Sequence, residues 1–266
     1  MDISIVIVNY HSKDKLFNCL RSIKESDLGG LSLETIVVEN NSGDDLRSWQ
    51  KDFNFILIES PHNLGMGGGN NLGIGSAQGQ YILVANPDLV FSSQAIRRLY
   101  DYLQTNSQVG LVAPKLINPD GSLQYSCFRF PHFFMPFARR TSLGKFFSAY
   151  LDQYLMKDQE HDRTMAVDWV LGACLMVRRN GVAFIEPNLF DERFFMYFED
   201  TDLCRRIWQQ GGQVVYLPTA VVTHYHVRAS AQKPWYVAVI SDMIAREHIK
   251  SWLKYFWKWR KDRLKK

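Results

Sequence analysis

Tyr81-Ile82-Leu83-Val84-Ala85-Asn86-Pro87-Asp88 is the stretch on which the fold turns. Its first five residues are a short apolar run, which reads as a buried strand. Pro87 has no N–H to give to a ladder, so the strand should end there. A carboxylate just past a buried strand sits at the carboxyl edge of a sheet, where open α/β sheets bind ligands. Asn, Pro and Asp are also ordinary turn residues, and on its own the triplet reads first as a turn.

Upstream, the pattern builds a parallel frame around this strand. Ile3-Ser4-Ile5-Val6-Ile7-Val8 predicts a buried first strand that stops at Asn9-Tyr10-His11-Ser12. Ser12 then predicts the N-cap of a helix from residue 13 to about 25, with Leu16, Leu20 and Ile23 on one face. Residues 34–38 and 55–58 predict the second and third strands, and strand, helix, strand at this spacing implies a parallel βαβ unit. Residues 63–73 hold five glycines within nine residues, too many for a stable isolated helix. They lack the third glycine of a dinucleotide fingerprint, because position 70 is Asn70, and no Gly-Lys-Ser/Thr follows. The expectation is a helix start of small residues packed tightly behind the site.

Downstream, residues 93–105 predict a helix with Ile96, Leu99, Tyr100 and Leu103 inward, residues 109–113 a strand, and Asn118-Pro119-Asp120-Gly121 a turn. Residues 125–165 show no clean period, which suits an acceptor-side loop or lid. Strand character returns over residues 167–177. Leu203 and Ile207 mark one face of a helix that stops near Gly211-Gly212. Residues 214–217 and 220–222 read as two short strands flanking Pro218, and residues 235–266 as helix with basic and aromatic side chains mixed.

Composition sets the outer limits. A chain of 266 residues, 46% hydrophobic and 22% charged, is globular rather than disordered and can bury a sizeable core. Cys19, Cys127, Cys174 and Cys204 are widely spaced with no Cys-x-x-Cys pair, which argues for a reducing compartment and against a disulfide framework or a zinc site. The apolar run at residues 3–8 is too short for a leader, and no uncharged run is long enough to span a bilayer, so the expected location is cytoplasmic. The net charge of +4 hides an asymmetry: residues 250–266 carry eight Lys/Arg and one Asp, while the rest of the chain is mildly acidic.

Several side chains carry chemistry at these positions. Glu199, Asp200 and Asp202 crowd a helix start, where acids complement the dipole, but they also lie beside Phe194, Phe195, Tyr197 and Phe198. A carboxylate among apolar rings gains proton affinity, which suits a general base. His224 and His226, spaced i, i+2 at a strand end, should point to opposite faces and not share an ion. One of them can join Asp88, and an oxygen-plus-imidazole set suits Mg²⁺ or Mn²⁺; a satisfied structural histidine is the plainer alternative. Asp168 beside Trp169 reads as a sugar-pocket lining or as a cap or ion pair. Glu39 and the ring of Tyr10 both lie just past parallel strands, where a nucleobase stacks and hydrogen-bonds.

Taken in order, these motifs resemble glycosyltransferase family 2. The matching pieces are Ser4-Ile5-Val6-Ile7-Val8-Asn9-Tyr10, Val37-Val38-Glu39-Asn40-Asn41-Ser42, Asn63-Leu64-Gly65 with its glycines, and Asn86-Pro87-Asp88. Trp169-x-x-Gly172-Ala173, Phe190-Asp191-Glu192 and Glu199-Asp200-x-Asp202-Leu203-Cys204-x-Arg206 resemble its rhamnosyltransferase-like branch. The resemblance covers about residues 3–230 and implies an α/β GT-A fold, a Rossmann-like αβα sandwich with a mixed central sheet, followed here by a C-terminal helical extension. It implies a nucleotide-sugar half at about residues 1–115, an acceptor half at about 116–230, and a basic aromatic tail at 231–266.

The resemblance also implies roles. The family's Asp-x-Asp metal motif falls on Asn86-Pro87-Asp88, so only Asp88 keeps the carboxylate, and His224 matches a histidine that joins it on Mg²⁺ or Mn²⁺. Asp200, paired with Glu199, matches the catalytic base, and Glu39 stands where many members place an Asp against the nucleobase. The implied substrate-binding positions are Val8, Tyr10, Glu39, Asn41, Asn63, Gly65, Asn70, Asn86, Asp168, Trp169, Gly172 and Asp202.

The activity implied is inverting transfer of a sugar, with rhamnose from a dTDP donor first and a UDP-hexose second. The acceptor implied is a hydroxyl of a glycan or polyprenyl-linked acceptor in surface polysaccharide synthesis. A nucleotide-sugar-binding protein without catalysis is the reading from another class, kept open by Asn86. The tail, with Lys250, Lys254, Lys258 and Lys261 among Trp252, Phe256, Trp257 and Trp259, suits a helix on the anionic inner face of the cell membrane or a solvated terminal helix. A nucleic-acid partner fits least, because the body is acidic.

Overall fold

The computed structural model describes residues 1–134, 148–181, 188–226 and 243–261. The expected frame is present. Strands β1 (Ile3–Asn9), β2 (Leu33–Glu39), β3 (Phe55–Glu59) and β4 (Tyr81–Ala85) form a parallel run in the order β3-β2-β1-β4. All seven residues of β1 and all five of β4 are buried, as strands covered on both faces must be.

The second half of the sheet is mixed. β5 (Leu89–Phe91), β6 (Val109–Ile117), β11 (Cys174–Arg178) and β12 (Gln213–His224) complete the order β4-β11-β6-β12-β5, with β6 and β12 parallel and the other contacts antiparallel; the short β7 (Leu123–Gln124) and β9 (Met165–Ala166) pair with β6 and β12, and β8 (Cys127–Phe128) pairs with residues 169–170. Alternation along β1 sends Ile3, Ile5 and Ile7 into one core and Val6 into the other. The first core lies under the helices Lys13–Lys24 and Ala95–Thr105, with Leu16, Leu20, Ile96, Leu99 and Leu103 facing in. The second lies under the helices Gly65–Ser76 and Glu199–Gln209 through Ile74, Leu203 and Ile207. Two helical layers thus cover one sheet.

Four local readings change. Ser12 precedes its helix, but its hydroxyl donates to the Tyr10 carbonyl and makes no cap bond to the helix. The strand expected over residues 167–177 is two pieces, β10 (Trp169–Val170) and β11, because the turn between them spends its backbone elsewhere: Leu171 N–H on the Ser126 carbonyl and Gly172 N–H on Asp200. The two strands expected around Pro218 are one, β12, with a register shift between Leu217 and Val221 that absorbs the proline as a bulge. β5 was not foreseen at all; three residues are too few for a period to show.

The glycine-rich stretch is a full three-turn helix, Gly65–Ser76, and the reason is contact with β1 and β2. A Cβ on Gly73 would lie 2.5 Å from Val6 Cγ1, and one on Gly69 would lie 3.0 Å from Val8 Cγ1. Of the expected lid, residues 135–147 lie outside the described residues, as do 235–242 and 262–266 of the tail. The described part of the tail is a helix, Met243–Lys258. Among the described residues, no helix is long and apolar enough to cross a membrane.

Candidate active site

Asp88 sits one residue before β5, which pairs antiparallel with the end of β12 and sets Leu89 opposite His224. Tyr225 N–H donates to the Asp88 carbonyl, 2.9 Å. His224 Nε2 lies 3.2 Å from Asp88 Oδ1, yet both atoms are buried without a hydrogen bond. His224 Nδ1 is 2.8 Å from Gln124 Oε1; with the proton of a neutral ring on Nδ1, donating to that oxygen, Nε2 turns its lone pair toward Asp88, and a ring protonated at both nitrogens instead donates Nε2–H to Asp88 Oδ1.

His226 corrects the sequence reading. Its ring centroid is 5.2 Å from that of His224, and ligand atoms of Asp88, His224 and His226 all lie within 4.8 Å of one another. β12 ends at His224, so the two-residue alternation of a strand no longer applies at His226. Two buried orphan lone pairs beside a second imidazole fit a divalent cation. Lys15 Nζ stands 3.6 Å from Asp88 Oδ2. Burial alone would raise the Asp88 carboxyl, but a hydrogen bond and positive charge from a protonated His224, with Lys15, outweigh it and hold the carboxyl below its ordinary value.

The acid pair forms the second pole. Asp200, in the first turn of its helix, has both oxygens held: Gly172 N–H to Oδ2 at 2.9 Å, and Thr201 N–H and Oγ1 to Oδ1 at 2.6 and 3.2 Å. Gly172 permits this approach, since a Cβ there would lie 3.0 Å from Asp200 Cβ. Glu199 Oε2 is buried with no hydrogen bond. Burial, then the adjacent Asp200 charge, pushes Glu199 up to about 8. Burial also raises Asp200, against the three donors that favour its ionised form. Of the pair, Glu199, buried and without a donor on Oε2, is the one that keeps a proton, and Asp200 is the one whose ionised form the three donors favour.

The 171–173 turn joins the poles. Asn86 N–H donates to the Ala173 carbonyl at 2.8 Å, and the preceding residue, Gly172, holds Asp200. Asn86 Oδ1 is a further buried orphan.

Around these poles the other expected positions divide. Glu39 is buried opposite Asn9, and Ser42 N–H and Oγ both donate to its Oε1. Tyr10 is 44% exposed and Asn41 adopts a left-handed φ of 61° at the same edge. Asn63 Oδ1 accepts Gly65 N–H, and Gly65 carries a φ of 71° pressed against the Phe195 carbonyl. Asn70 Nδ2 donates to the Met66 carbonyl while its Oδ1 is an orphan. Val8 turns its side chain to Gly69.

Three positions lie elsewhere. Asp168 accepts Phe130 N–H and pairs with Arg129 beside a cavity of about 430 Å³ that also meets Trp208 and Gly211. That is the far end of the acid helix from Asp200. Trp169 stacks on Phe128 at 4.4 Å and gives its Nε1–H to the Arg129 carbonyl, so its ring is core. Asp202 is fully buried against the C-terminal helix. Sequence reasoning passed over Gln124, Lys15 and Asn40. Asn40 takes Leu64 N–H and donates to Asn63 Oδ1 and the Gly65 carbonyl. Its signal was present, a polar side chain right after a buried strand; Gln124 offered none.

A mixed α/β sheet with these two poles at its carboxyl edge is the architecture of GT-A glycosyltransferases, and the fold bears this out. The chain aligns with GalNAc-T7 solved with UDP, GalNAc and Mn²⁺ (TM-score 0.66, 15% identity, 98% of this chain and 50% of that one). It aligns with a Pyrobaculum calidifontis mannosyltransferase in complex with GDP-Man and Mn²⁺ (TM-score 0.63, 16% identity, 98% and 65%). The chain belongs to Glycosyl transferase family 2, which its residues 4–154 match.

Curated relatives point within that family to its rhamnosyltransferase-like branch. A low-salt glycan biosynthesis hexosyltransferase of Haloferax volcanii is 31% identical over 209 residues, 77% of this chain and 61% of the relative. An N-acetylglucosaminyl-diphospho-decaprenol L-rhamnosyltransferase of Mycobacterium tuberculosis is 32% identical over 160 residues, 58% and 50%. A rhamnosyltransferase of Escherichia coli K12 is 25% identical over 232 residues, 83% and 82%. The chain thus spans half to three-fifths of the length of the first two relatives.

Proposed function

We propose that this chain is an inverting, metal-dependent glycosyltransferase that moves a sugar from a nucleotide donor to a hydroxyl of a glycan or polyprenyl-linked acceptor. The observation that carries this is the 171–173 turn, which ties the Asp88 pole to the Asp200 pole through two backbone hydrogen bonds. Rhamnose from a dTDP donor is the preferred donor, supported by the two rhamnosyltransferase relatives. A hexose is second, supported by the Haloferax relative.

Asp88, His224 and His226 would hold Mg²⁺ or Mn²⁺, which offsets negative charge on the leaving diphosphate when bound. Glu39 and Tyr10 receive the nucleobase at the edge of β1 and β2. Asp200, its lone pairs oriented by Gly172 and Thr201, takes the proton of the acceptor hydroxyl. The acceptor oxygen attacks the anomeric carbon opposite the diphosphate, whose C–O bond breaks, and the configuration inverts. Glu199, protonated, adds no second negative charge beside the base. Direct displacement needs a single base and no carboxylate nucleophile.

The outer face of the C-terminal helix would meet an anionic lipid surface on the inner face of the membrane. It supports this with exposed Leu253 and Trp257 beside Lys254 and Arg260, on a groove of about 850 Å³. Trp252 and Trp259 do not share that face, being packed inward, and Lys258 lines the groove while turning its ammonium in to Asp202.

A panel of nucleotide sugars, with and without Mn²⁺, tests the reading by thermal shift. At a hundredfold excess over Kd, a ligand stabilises the native state by about 2.7 kcal/mol. The expected result is a rise with dTDP-rhamnose or a UDP-hexose that requires Mn²⁺. No rise with any donor, with or without metal, rejects it.

A further inference from the structure

Two aromatic residues immediately before the acid pair, Tyr197 and Phe198, hold left-handed φ angles of 68° and 67°. Such angles are strained for side chains of this size and persist only where surroundings impose them. What imposes them is the C-terminal helix. Ser251 Oγ donates to the Met196 carbonyl at 2.8 Å. His248 stacks on Tyr197 with centroids 4.4 Å apart, and Tyr255 lies against Phe198 at 5.2 Å. Lys254 Nζ donates to the Arg193 carbonyl at 2.7 Å.

The same helix and the residue after it grip Asp202. Trp259 Nε1–H donates to Oδ1 at 2.9 Å, and Lys258 Nζ donates to Oδ2 at 2.8 Å and to Asp191 Oδ2 at 2.8 Å. Arg206 Nε adds a bond to Asp202 Oδ2 at 2.9 Å, one turn along. Positions two apart on a helix face different ways, so the first turn is held from two sides. Asp200 is fastened to Gly172 and Asp202 to the C-terminal helix.

We propose that Lys258 and Trp259 are positioning residues for Asp200: through Asp202 they lock the first turn of the acid helix, and the strained 197–198 step before it, in the geometry that aims the base. This rests on the reading of Asp200 as the base. It gives the C-terminal helix a role in turnover separate from any membrane contact, since the Lys258 ammonium and the Trp259 indole N–H are turned in to Asp202. A fully buried carboxylate with a Lys, an Arg and an indole N–H is a costly arrangement that apolar packing would replace at no loss if only adhesion mattered.

The test uses the full chain with Trp259→Phe, which keeps the ring and removes the N–H, Lys258→Met, which keeps the stem and removes the charge, and Lys258→Arg. Removing the whole helix would uncover the buried ring of Phe194, so these milder changes are preferred. The readouts are donor turnover, donor KM, and hydrogen exchange in a peptide covering residues 195–204 against one covering 81–85. In Trp259→Phe and Lys258→Met, kcat falls about tenfold or more while donor KM stays within about twofold. Exchange quickens at 195–204 and not at 81–85, and Lys258→Arg recovers most of the loss. Unchanged exchange at 195–204, or unchanged kcat, overturns the proposal. If the unaltered chain turns over no donor, the base reading fails separately, and the exchange comparison alone still decides whether the lock exists.

Discussion

His224 Nε2 stands 3.2 Å from Asp88 Oδ1, and Gln124 Oε1 meets the other ring nitrogen, Nδ1, at 2.8 Å, so in the neutral ring with its proton on Nδ1 the Nε2 lone pair faces the carboxylate. Two facing lone pairs at that distance repel unless positive charge lies between or beside them. Lys15, at 3.6 Å from the other Asp88 oxygen, supplies part of it. A divalent cation on Asp88, His224 and His226 would supply the rest.

Gln124 should therefore matter although it touches no substrate. Hydrogen-bond partners that orient a ligating histidine typically cost 10- to 100-fold in metal affinity when lost. Gln124→Ala should weaken Mn²⁺ binding by about that factor, and Asp88→Ala or His224→Ala should abolish it. Calorimetric titration of Mn²⁺ decides, and equal affinity in Gln124→Ala contradicts the assignment.

Glu199 makes a pH prediction. Its folded carboxyl is raised from 4.5 to about 8, so the native state binds more protons than the unfolded chain between those values. Stability should fall as pH rises through that window. Glu199→Gln copies the protonated form and should flatten the fall, leaving the variant more stable than the parent near pH 8. Each ~1 kcal/mol moves Tm by roughly 2–4 °C in a chain of this size, so thermal melts at pH 5 and 8 read it. Parallel slopes in the two proteins would refute the burial of that carboxyl.

The glycine-rich helix predicts opposite signs for two like substitutions. In Gly73→Ala, the new Cβ would meet Val6 Cγ1 at 2.5 Å and Val38 Cγ2 at 3.1 Å. Overpacking of this kind costs about 1–3 kcal/mol. Nothing lies within 4 Å of a Cβ on Gly75, whose φ is not left-handed, so Gly75→Ala should stabilise by roughly 0.5–1 kcal/mol. Denaturant unfolding measures both, and a destabilising Gly75→Ala would undo the packing account.

The parallel frame was legible because β1, β2 and β4 are runs of buried aliphatic residues whose period needs no partner to be read. The acid helix and Asp88 were legible as carboxylates at element ends. What was hidden depended on long-range pairing. β5 has three residues and exists because β12 lies beside it; that pairing is what sets Asp88 against His224. His226 was set aside by a strand rule that stops applying one residue after the strand stops. Asp202 looked like part of the site by proximity to Asp200, and only the fold shows it facing Lys258 and Trp259. The glycines were read correctly as close-packing residues, while the length of their helix came from Val6, Val8 and Val38.

The most direct measurement compares the unaltered chain with Asp200→Asn. Donor and Mn²⁺ binding is followed by calorimetry and sugar transfer by product formation. A general base contributes typically 10²- to 10⁴-fold, so transfer should fall by at least about a hundredfold while donor affinity stays within about twofold. Near-normal transfer by Asp200→Asn, with donor binding intact, would contradict the account.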